Sequence, residues 1–151
     1  MGERWWTSRG NRLLVIGVVL VIADLFTKWL AVRLPDVPGV DPHINDELAL
    51  GVFSGDSHPL VLVALGIGVV VVLGHLWWLR PKTHLADVAL MLVVAGALAN
   101  AIDRLVTGGV HDFIDLGFAI ANLADFWLLG GLLIYIWLGM RYVPGDDDRA
   151  D

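Results

Sequence analysis

Four long apolar runs, each interrupted by only a few charges, dominate this sequence. They cover residues 13–34, 60–79, 85–106 and 118–142. A helix needs about 20 such residues to cross the hydrocarbon core of a bilayer, at about 1.5 Å of rise per residue. Hydrophobic residues make up 57% of the chain and charged residues only 17%, which excludes an ordinary soluble domain. The sequence therefore predicts four transmembrane helices.

The basic residues predict how these helices are oriented, because Lys and Arg gather in cytoplasmic loops and tails. Most of them fall on one side of a four-span arrangement: Arg4, Arg9, Arg12, Arg80, Lys82, Arg141 and Arg149. We therefore expect an all-α integral membrane protein with both termini cytoplasmic and a small extracytoplasmic β-like or loop element. Residues 1–144 are expected to form one four-span domain, and residues 145–151 an acidic, disordered tail.

Composition excludes several functional classes. The chain has no cysteine and no H-E-x-x-H sequence, so thiol nucleophiles, thiolate metal sites and this type of zinc site are absent. The formal net charge is −6, and no basic stripe is present to neutralise phosphates, which argues against a nucleic-acid partner. We expect neither a cofactor nor a metal.

Ionisable residues within the predicted spans are few, and each costs about 2.5–3.5 kcal/mol at the centre of a bilayer, so each needs a partner or a purpose. Asp24 and Lys28 lie four residues apart on one helix face, which favours a structural ion pair that holds the first span in the bundle. Asn100, Asp103 and Arg104 share a face of the third span near its outer end. Small residues precede them and would let another helix approach closely: Gly96, Ala97, Ala99 and Ala101.

Two further acids flank the start of the fourth span. Residues 110–115 alternate in polarity, which predicts a short strand with Asp112 and Asp115 on opposite faces. Asp112 taken alone has the simple interpretation of a solvated loop acid. Asp125 lies three residues after Asn122. Taken alone, this spacing predicts a helix cap rather than a catalytic role.

Taken together, Asp112 and Asp125 suggest catalysis. Both fall at the outer membrane surface, where the fold could bring them face to face. Two carboxylates that share a water cannot both ionise easily, so one proton is held between them and the pair divides into an acid and a base. That arrangement suits attack of water on an amide carbonyl.

Four blocks of the sequence resemble bacterial lipoprotein signal peptidase, also called signal peptidase II. They are D-L-F-T-K at residues 24–28, A-G-A-L-A-N-A-I-D-R at 95–104, V-H-D-F-I-D at 110–115 and A-N-L-A-D at 121–125. The resemblance implies an aspartyl endopeptidase of the bacterial cytoplasmic membrane that faces outside. Its substrates would be prolipoproteins, which it would cut just before a cysteine that carries diacylglycerol. Membrane lipid would be its other partner.

The resemblance also implies roles for individual residues. Asp112 and Asp125 match the catalytic dyad. Asp115 has counterparts in some members only. The remaining matched positions are expected to support the site: Asp24, Lys28, Asn100, Asp103, Arg104 and Asn122.

One block departs from the family pattern. The family usually carries N-x-G-A-A-F in the first outer loop, whereas residues 44–55 are I-N-D-E-L-A-L-G-V-F-S-G. Whether Asn45 corresponds to the asparagine of that pattern stays open at this point. Ala99 also stands where the family commonly has glycine. Two alternatives remain open at this point: a non-catalytic relative that binds lipoprotein signal helices, and a small proton-linked carrier that uses Asp24, Asp103 and Asp125.

Overall fold

Three long helices and a small sheet make up the described part of the chain. The computed structural model describes residues 4–34, 39–45 and 83–141, with side chains from residue 10 onward. The helices are α1 (Arg4–Arg33), α2 (His84–Thr107) and α3 (Leu123–Arg141). The strands are β1 (Val40–Asn45), β2 (Val110–Asp115) and β3 (Ile120–Ala121). The predicted span at 60–79 and the acidic tail at 145–151 lie outside the described residues.

All three helices contain a segment long and apolar enough to cross a membrane: Gly10–Arg33, His84–Thr107 and Leu123–Arg141. Their outer surfaces expose large apolar side chains, including Leu14, Leu98 and Leu133. Such exposure would be costly in water but suits contact with lipid chains. The membrane-embedded class is thus confirmed, with helices at the first, third and fourth of the predicted spans.

The start of the last span was predicted wrongly, because α3 begins at Leu123 rather than at residue 118. The preceding residues belong to a tight turn and to β3. The Leu116 N–H donates to Ala119 O at 2.9 Å, and Gly117 takes a positive φ of 80°, which glycine adopts without a steric penalty. Apolarity alone cannot distinguish a short buried strand from the first turn of a helix.

The sheet has the order β1-β2-β3, and both pairs are antiparallel. The strand predicted at 110–115 is confirmed, whereas β1 and β3 were not predicted. β1 lies at the edge and contains Pro42, next to an irregularity in its register. Proline lacks an N–H and is tolerated at edges and bulges. The register places Asn45 opposite Val110 and His43 opposite Asp112.

Helices α2 and α3 touch backbone to backbone at two glycines. A Cβ atom built on Gly96 would lie 2.5 Å from Ala124 O, and one on Gly131 would lie 2.6 Å from Ala89 O. The predicted small-residue contact is confirmed at Gly96 and Ala99, which are buried, whereas Ala101 is exposed. Close approach of this kind is a common way for membrane helices to gain packing energy.

The connections between the helices and the strands place the polar residues together at one end of the bundle. Helix α1 contacts β1. Gly108 caps the carboxyl end of α2, because its left-handed conformation lets its N–H donate to Arg104 O at 2.9 Å before β2 begins. The amino end of α3 follows β3 directly. The sheet therefore covers one end of the three helices, which we call the sheet end.

Replacement of Gly96 by alanine should separate α2 from α3. The added methyl group would meet Ala124 O and the Leu128 side chain, and crowding of this kind costs about 1–3 kcal/mol. We expect Gly96→Ala to lower the melting temperature of the detergent-purified protein. Gly130→Ala is the matched control, since its Cβ would meet nothing within 4 Å. Equal melting temperatures for both variants would contradict this account of the contact.

Candidate active site

Asp125 and Asn122 form a reciprocal cap at the amino end of α3. The Asp125 N–H donates to Asn122 Oδ1 at 3.1 Å, and the Asn122 N–H donates to Asp125 Oδ2 at 3.1 Å. The first N–H groups of a helix have no partner within the helix, so such a cap stabilises its start. The predicted cap is confirmed, and it occupies only one of the two oxygens of Asp125.

The other oxygen of Asp125 accepts a hydrogen bond from α2. Asn100 Nδ2 donates to Asp125 Oδ1 at 2.9 Å, and Lys28 Nζ donates to Asn100 Oδ1 at 2.7 Å. An ammonium group can only donate, so Lys28 determines which end of the Asn100 amide carries the oxygen. The amide nitrogen is thereby directed at Asp125.

Asp112 lies in β2 and is only 4% exposed, so the interpretation as a solvated loop acid is wrong. Asn122 Nδ2 donates to its Oδ1 at 2.6 Å, and Asn45 Nδ2 donates to its Oδ2 at 3.0 Å. Asp115 lies on the opposite face, is exposed, and accepts from the Gly117 N–H at 2.7 Å. The predicted alternation of the two acids is therefore confirmed.

Burial raises the pKa of the Asp112 carboxyl above its ordinary value, because the charged form is poorly solvated there. Hydrogen bonds from Asn45 and Asn122 lower this pKa, the charge of Asp125 raises it, and the charge of Lys28 lowers it again. The net direction is upward. Asp112 and Asp125 thus interact electrostatically, and Asn122 contacts both through three different atoms.

Asp24 and Lys28 form the ion pair that their spacing predicts, with Lys28 Nζ 2.8 Å from Asp24 Oδ2. Asp24 Oδ1 accepts from the Ala124 N–H at 2.9 Å. A carboxylate at the amino end of a helix also interacts favourably with the helix dipole. The pair therefore joins α1 to the start of α3, as the structural interpretation expects, and it orients Asn100 as well.

Asp103 is the second carboxylate near Lys28, with Asp103 Oδ2 3.4 Å from Nζ. It accepts from the His111 N–H at 2.7 Å and lies 3.0 Å from His111 Nδ1. Thr107 Oγ1 is 3.3 Å from its other oxygen. These contacts tie β2 to the last turns of α2.

Arg104 lies within electrostatic range of Asp103, Asp112 and Asp125. Its Nε atom is buried and has no hydrogen-bond partner among the residues that the structure describes. A buried donor without a partner is costly. The guanidinium group is therefore suited to bind an acceptor that enters the site.

Every predicted site residue lies at the sheet end, and all except Arg104 belong to one set of direct contacts. The role of Asn45 stayed open from the sequence, and neither His111 nor Thr107 was predicted to belong to the site. Asn45 and Asp112 are 67 residues apart, and only the register of β1 against β2 brings them together. His111 stands beside Asp112 in the sequence, but nothing local indicates that it faces Asp103.

The fold and this site define a membrane-embedded protein with two coupled carboxylates at one end of a helical bundle. A sequence model of the family described as signal peptidase (SPase) II matches residues 16–141. The chain belongs to the signal peptidase II family.

Similar proteins agree with this assignment. The lipoprotein signal peptidase of Anoxybacillus flavithermus is 30% identical over 155 residues, which cover 91% of this chain and 92% of the relative. That of Methylobacterium radiotolerans is 40% identical over 113 residues, covering 70% and 65%. A solved structure described as a bacterial membrane enzyme has a TM-score of 0.69 at 27% identity and covers 93% of each chain. A second has a TM-score of 0.67 at 28% identity and covers 88% of this chain and 95% of that one.

Removal of the Asn45 amide should raise the pKa of Asp112 further. Asn45→Leu deletes a donor that stabilises the charged carboxylate, so Asp112 should hold its proton to higher pH. NMR of the protein labelled with ¹³C at the aspartate carboxyl groups would follow this titration. Ile44→Val is the control, because side chains alternate along a strand and Ile44 faces away from Asn45. A downward shift in Asn45→Leu would contradict the assigned hydrogen bond.

Proposed function

We propose that this protein is an aspartyl endopeptidase that removes the signal peptide from prolipoproteins, with Asp112 and Asp125 as its catalytic pair. Membership of the signal peptidase II family makes it a peptidase of lipoprotein precursors. One observation carries the aspartyl mechanism: each of the four oxygens of these carboxylates accepts a hydrogen bond from an amide N–H. Both acids are therefore held in place while each oxygen keeps a second lone pair for water or substrate.

Hydrolysis then follows from the protonation of the pair. One proton is shared by Asp112 and Asp125, which favours one ionised and one neutral carboxyl. The ionised member takes a proton from a water as the water oxygen bonds to the scissile carbonyl carbon. The neutral member gives its proton to the carbonyl oxygen, and the product is a tetrahedral diol.

Collapse of this diol breaks the peptide bond. One diol hydroxyl returns its proton to the ionised carboxylate while the other acid passes its proton to the leaving nitrogen, and the C–N bond breaks. The protons balance, so the pair regains its starting state with one shared proton. Arg104, whose buried Nε has no hydrogen-bond partner within residues 4–34, 39–45 and 83–141, would hold a substrate carbonyl during these steps.

The substrate class follows from where the site lies. Asp112 lies in β2, after the end of α2, and Asp125 lies in the first turn of α3, so we expect both at the membrane surface rather than at its centre. A signal helix across the bilayer, followed by a cysteine with diacylglycerol in the outer leaflet, presents its scissile bond at this depth. We propose that the lipid chains contact the surrounding membrane lipid while the bond enters the sheet end.

Conversion of either catalytic acid to asparagine should abolish cleavage. Asp112→Asn and Asp125→Asn keep the shape of each side chain but remove its proton transfer, which contributes about 10²–10⁴-fold to the rate. The measurement is the mass loss of a diacylglyceryl-modified prolipoprotein incubated with each purified variant. Melting temperatures would confirm that the variants remain folded.

Asp115→Asn is the matched control, on the same strand and with the same substitution. Asp115 is exposed, and asparagine retains the oxygen that accepts from Gly117, so cleavage should persist. Loss of cleavage in Asp115→Asn with retention in Asp112→Asn would overturn the assignment of the dyad. An unsubstituted protein that binds the prolipoprotein without cutting it would instead favour the non-catalytic relative.

We also propose four spans in the cytoplasmic membrane, with both termini inside and the sheet end outside. Single cysteines test this without background because the chain contains none. Ala119→Cys, exposed in the turn before β3, should react with a membrane-impermeant maleimide added to intact cells. His84→Cys, exposed at the opposite end of α2, should react only after the cells are opened. The reverse pattern would contradict the orientation.

A further inference from the structure

The two consecutive glycines between α2 and β2 have different surroundings. Gly108 is exposed and has a positive φ of 85°, and a Cβ atom built on it would meet nothing within 4 Å. Its backbone conformation as a helix cap therefore accounts for a glycine there. Gly109 is buried, and its φ angle lies outside the left-handed region. Backbone conformation therefore does not explain a glycine at the second position.

The end of strand β1 lies directly against Gly109. A Cβ atom built on Gly109 would lie 2.7 Å from Ile44 Cγ2, 3.0 Å from Asn45 O and 3.3 Å from the Asn45 carbonyl carbon. Carbon atoms in favourable contact are about 3.5–4.0 Å apart. An alanine at this position would therefore force a shift of a few tenths of an ångström or more.

The same end of β1 supplies a hydrogen-bond donor to the site. The strand register makes Asn45 and Asp112 diagonal neighbours on one face of the sheet, and Asn45 Nδ2 donates to Asp112 Oδ2 at 3.0 Å. Ile44 pairs with His111. Side chains two residues apart share a face of a strand, so a side chain at Gly109 would lie on the His111 face, away from Asp112.

The contacts of β2 determine which strand would move. Thr107 Oγ1 lies 3.0 Å from Gly109 O, and the His111 N–H donates to Asp103 Oδ2 at 2.7 Å. Strand β2 is also paired on both sides, whereas β1 is an edge strand. A side chain at Gly109 would therefore displace the end of β1 rather than β2.

We propose that Gly109 is a positioning residue for the catalytic pair, because its lack of a side chain lets Asn45 reach Asp112. The proposal rests on the aspartyl peptidase function above. Asp112 Oδ1 is held by Asn122 and Oδ2 by Asn45, so the second of these hydrogen bonds depends on how closely β1 approaches β2. Gly109 acts through β1 and serves the pair by the room that it leaves.

Gly109→Ala tests this proposal. We expect kcat for cleavage of a diacylglyceryl-modified prolipoprotein to fall about three- to tenfold, as weakening of one hydrogen bond to a carboxylate would cause. KM should stay within about twofold, since loss of an interaction that serves the transition state lowers kcat and kcat/KM together. Gly130→Ala is again the control, because its added methyl group would meet nothing within 4 Å.

Variants of Ile44 identify the steric cause. Ile44→Ala removes Cγ2, the atom nearest to the added methyl group, so combining it with Gly109→Ala should restore part of kcat. Ile44→Val keeps both methyl-bearing positions on Cβ and should restore none. Ile44 is exposed, so neither single variant should unfold the protein.

Asn45→Leu tests whether the effect passes through the amide. This variant already lacks the donor, so adding Gly109→Ala should lower kcat little further, whereas independent effects would multiply. Carboxyl NMR supplies a readout that needs no cleavage. Gly109→Ala should raise the pKa of Asp112, as Asn45→Leu should, because a more distant donor stabilises the charged carboxylate less.

Each outcome bears on a different claim. Unchanged kcat in Gly109→Ala, equal recovery with both Ile44 variants, or multiplied effects with Asn45→Leu would each overturn this inference alone. A Gly109→Ala protein that does not fold, and that Ile44→Ala does not rescue, would assign the glycine to folding and overturn it too. Absence of cleavage by the unsubstituted protein would overturn the proposed function, a failure that the Asp112 titration distinguishes from failure of the Gly109 contact.

Discussion

The buried ammonium group of Lys28 is the charge around which the sheet end is organised. Lys28 is 2% exposed, and a desolvated ammonium group costs several kcal/mol unless its hydrogens find acceptors. Its neighbours supply them: Asp24 on its own helix, and Asn100 and Asp103 on α2. Asp24 in turn binds the start of α3. The need to neutralise one charge therefore determines how three helices meet.

The same contacts give the two acids different surroundings. Asp125 belongs to the first turn of α3, where its carboxylate accepts hydrogen bonds from the Asn122 N–H and from the Asn100 side chain. Asp112 lies in a strand and is deeply buried, and its carboxylate accepts hydrogen bonds from two side-chain amides, those of Asn45 and Asn122. Asn122 joins the two environments, since one end of its amide caps α3 and the other end binds Asp112. A residue that begins a helix thus also sets the geometry of the pair.

Local patterns in the sequence predicted much of this arrangement. The four-residue spacing of Asp24 and Lys28, the alternation around Asp112 and the Asn122–Asp125 cap each depend on neighbours along the chain, and the structure contains all three. The start of α3 was misplaced because the apolar residues before Asn122 suit a strand and a helix equally. The contact of Asn45 with Asp112 depends on strand register. The contact of His111 with Asp103 depends on the path that the chain takes from Gly108 at the end of α2 into β2. Neither hydrophobic periodicity nor secondary-structure propensity encodes these two contacts.

The hydrogen bond between Asp24 and Ala124 has a consequence for how the protein is made. Its two partners are 100 residues apart, and the chain is synthesised from its amino terminus. α1 therefore enters the membrane before Ala124 has been synthesised. At that stage Asp24 Oδ1 lacks the N–H group that it binds in the finished protein. That group arrives only with α3, the last described helix. Completion of the site and completion of the bundle are thus a single late event in biogenesis, so a chain truncated before α3 lacks both.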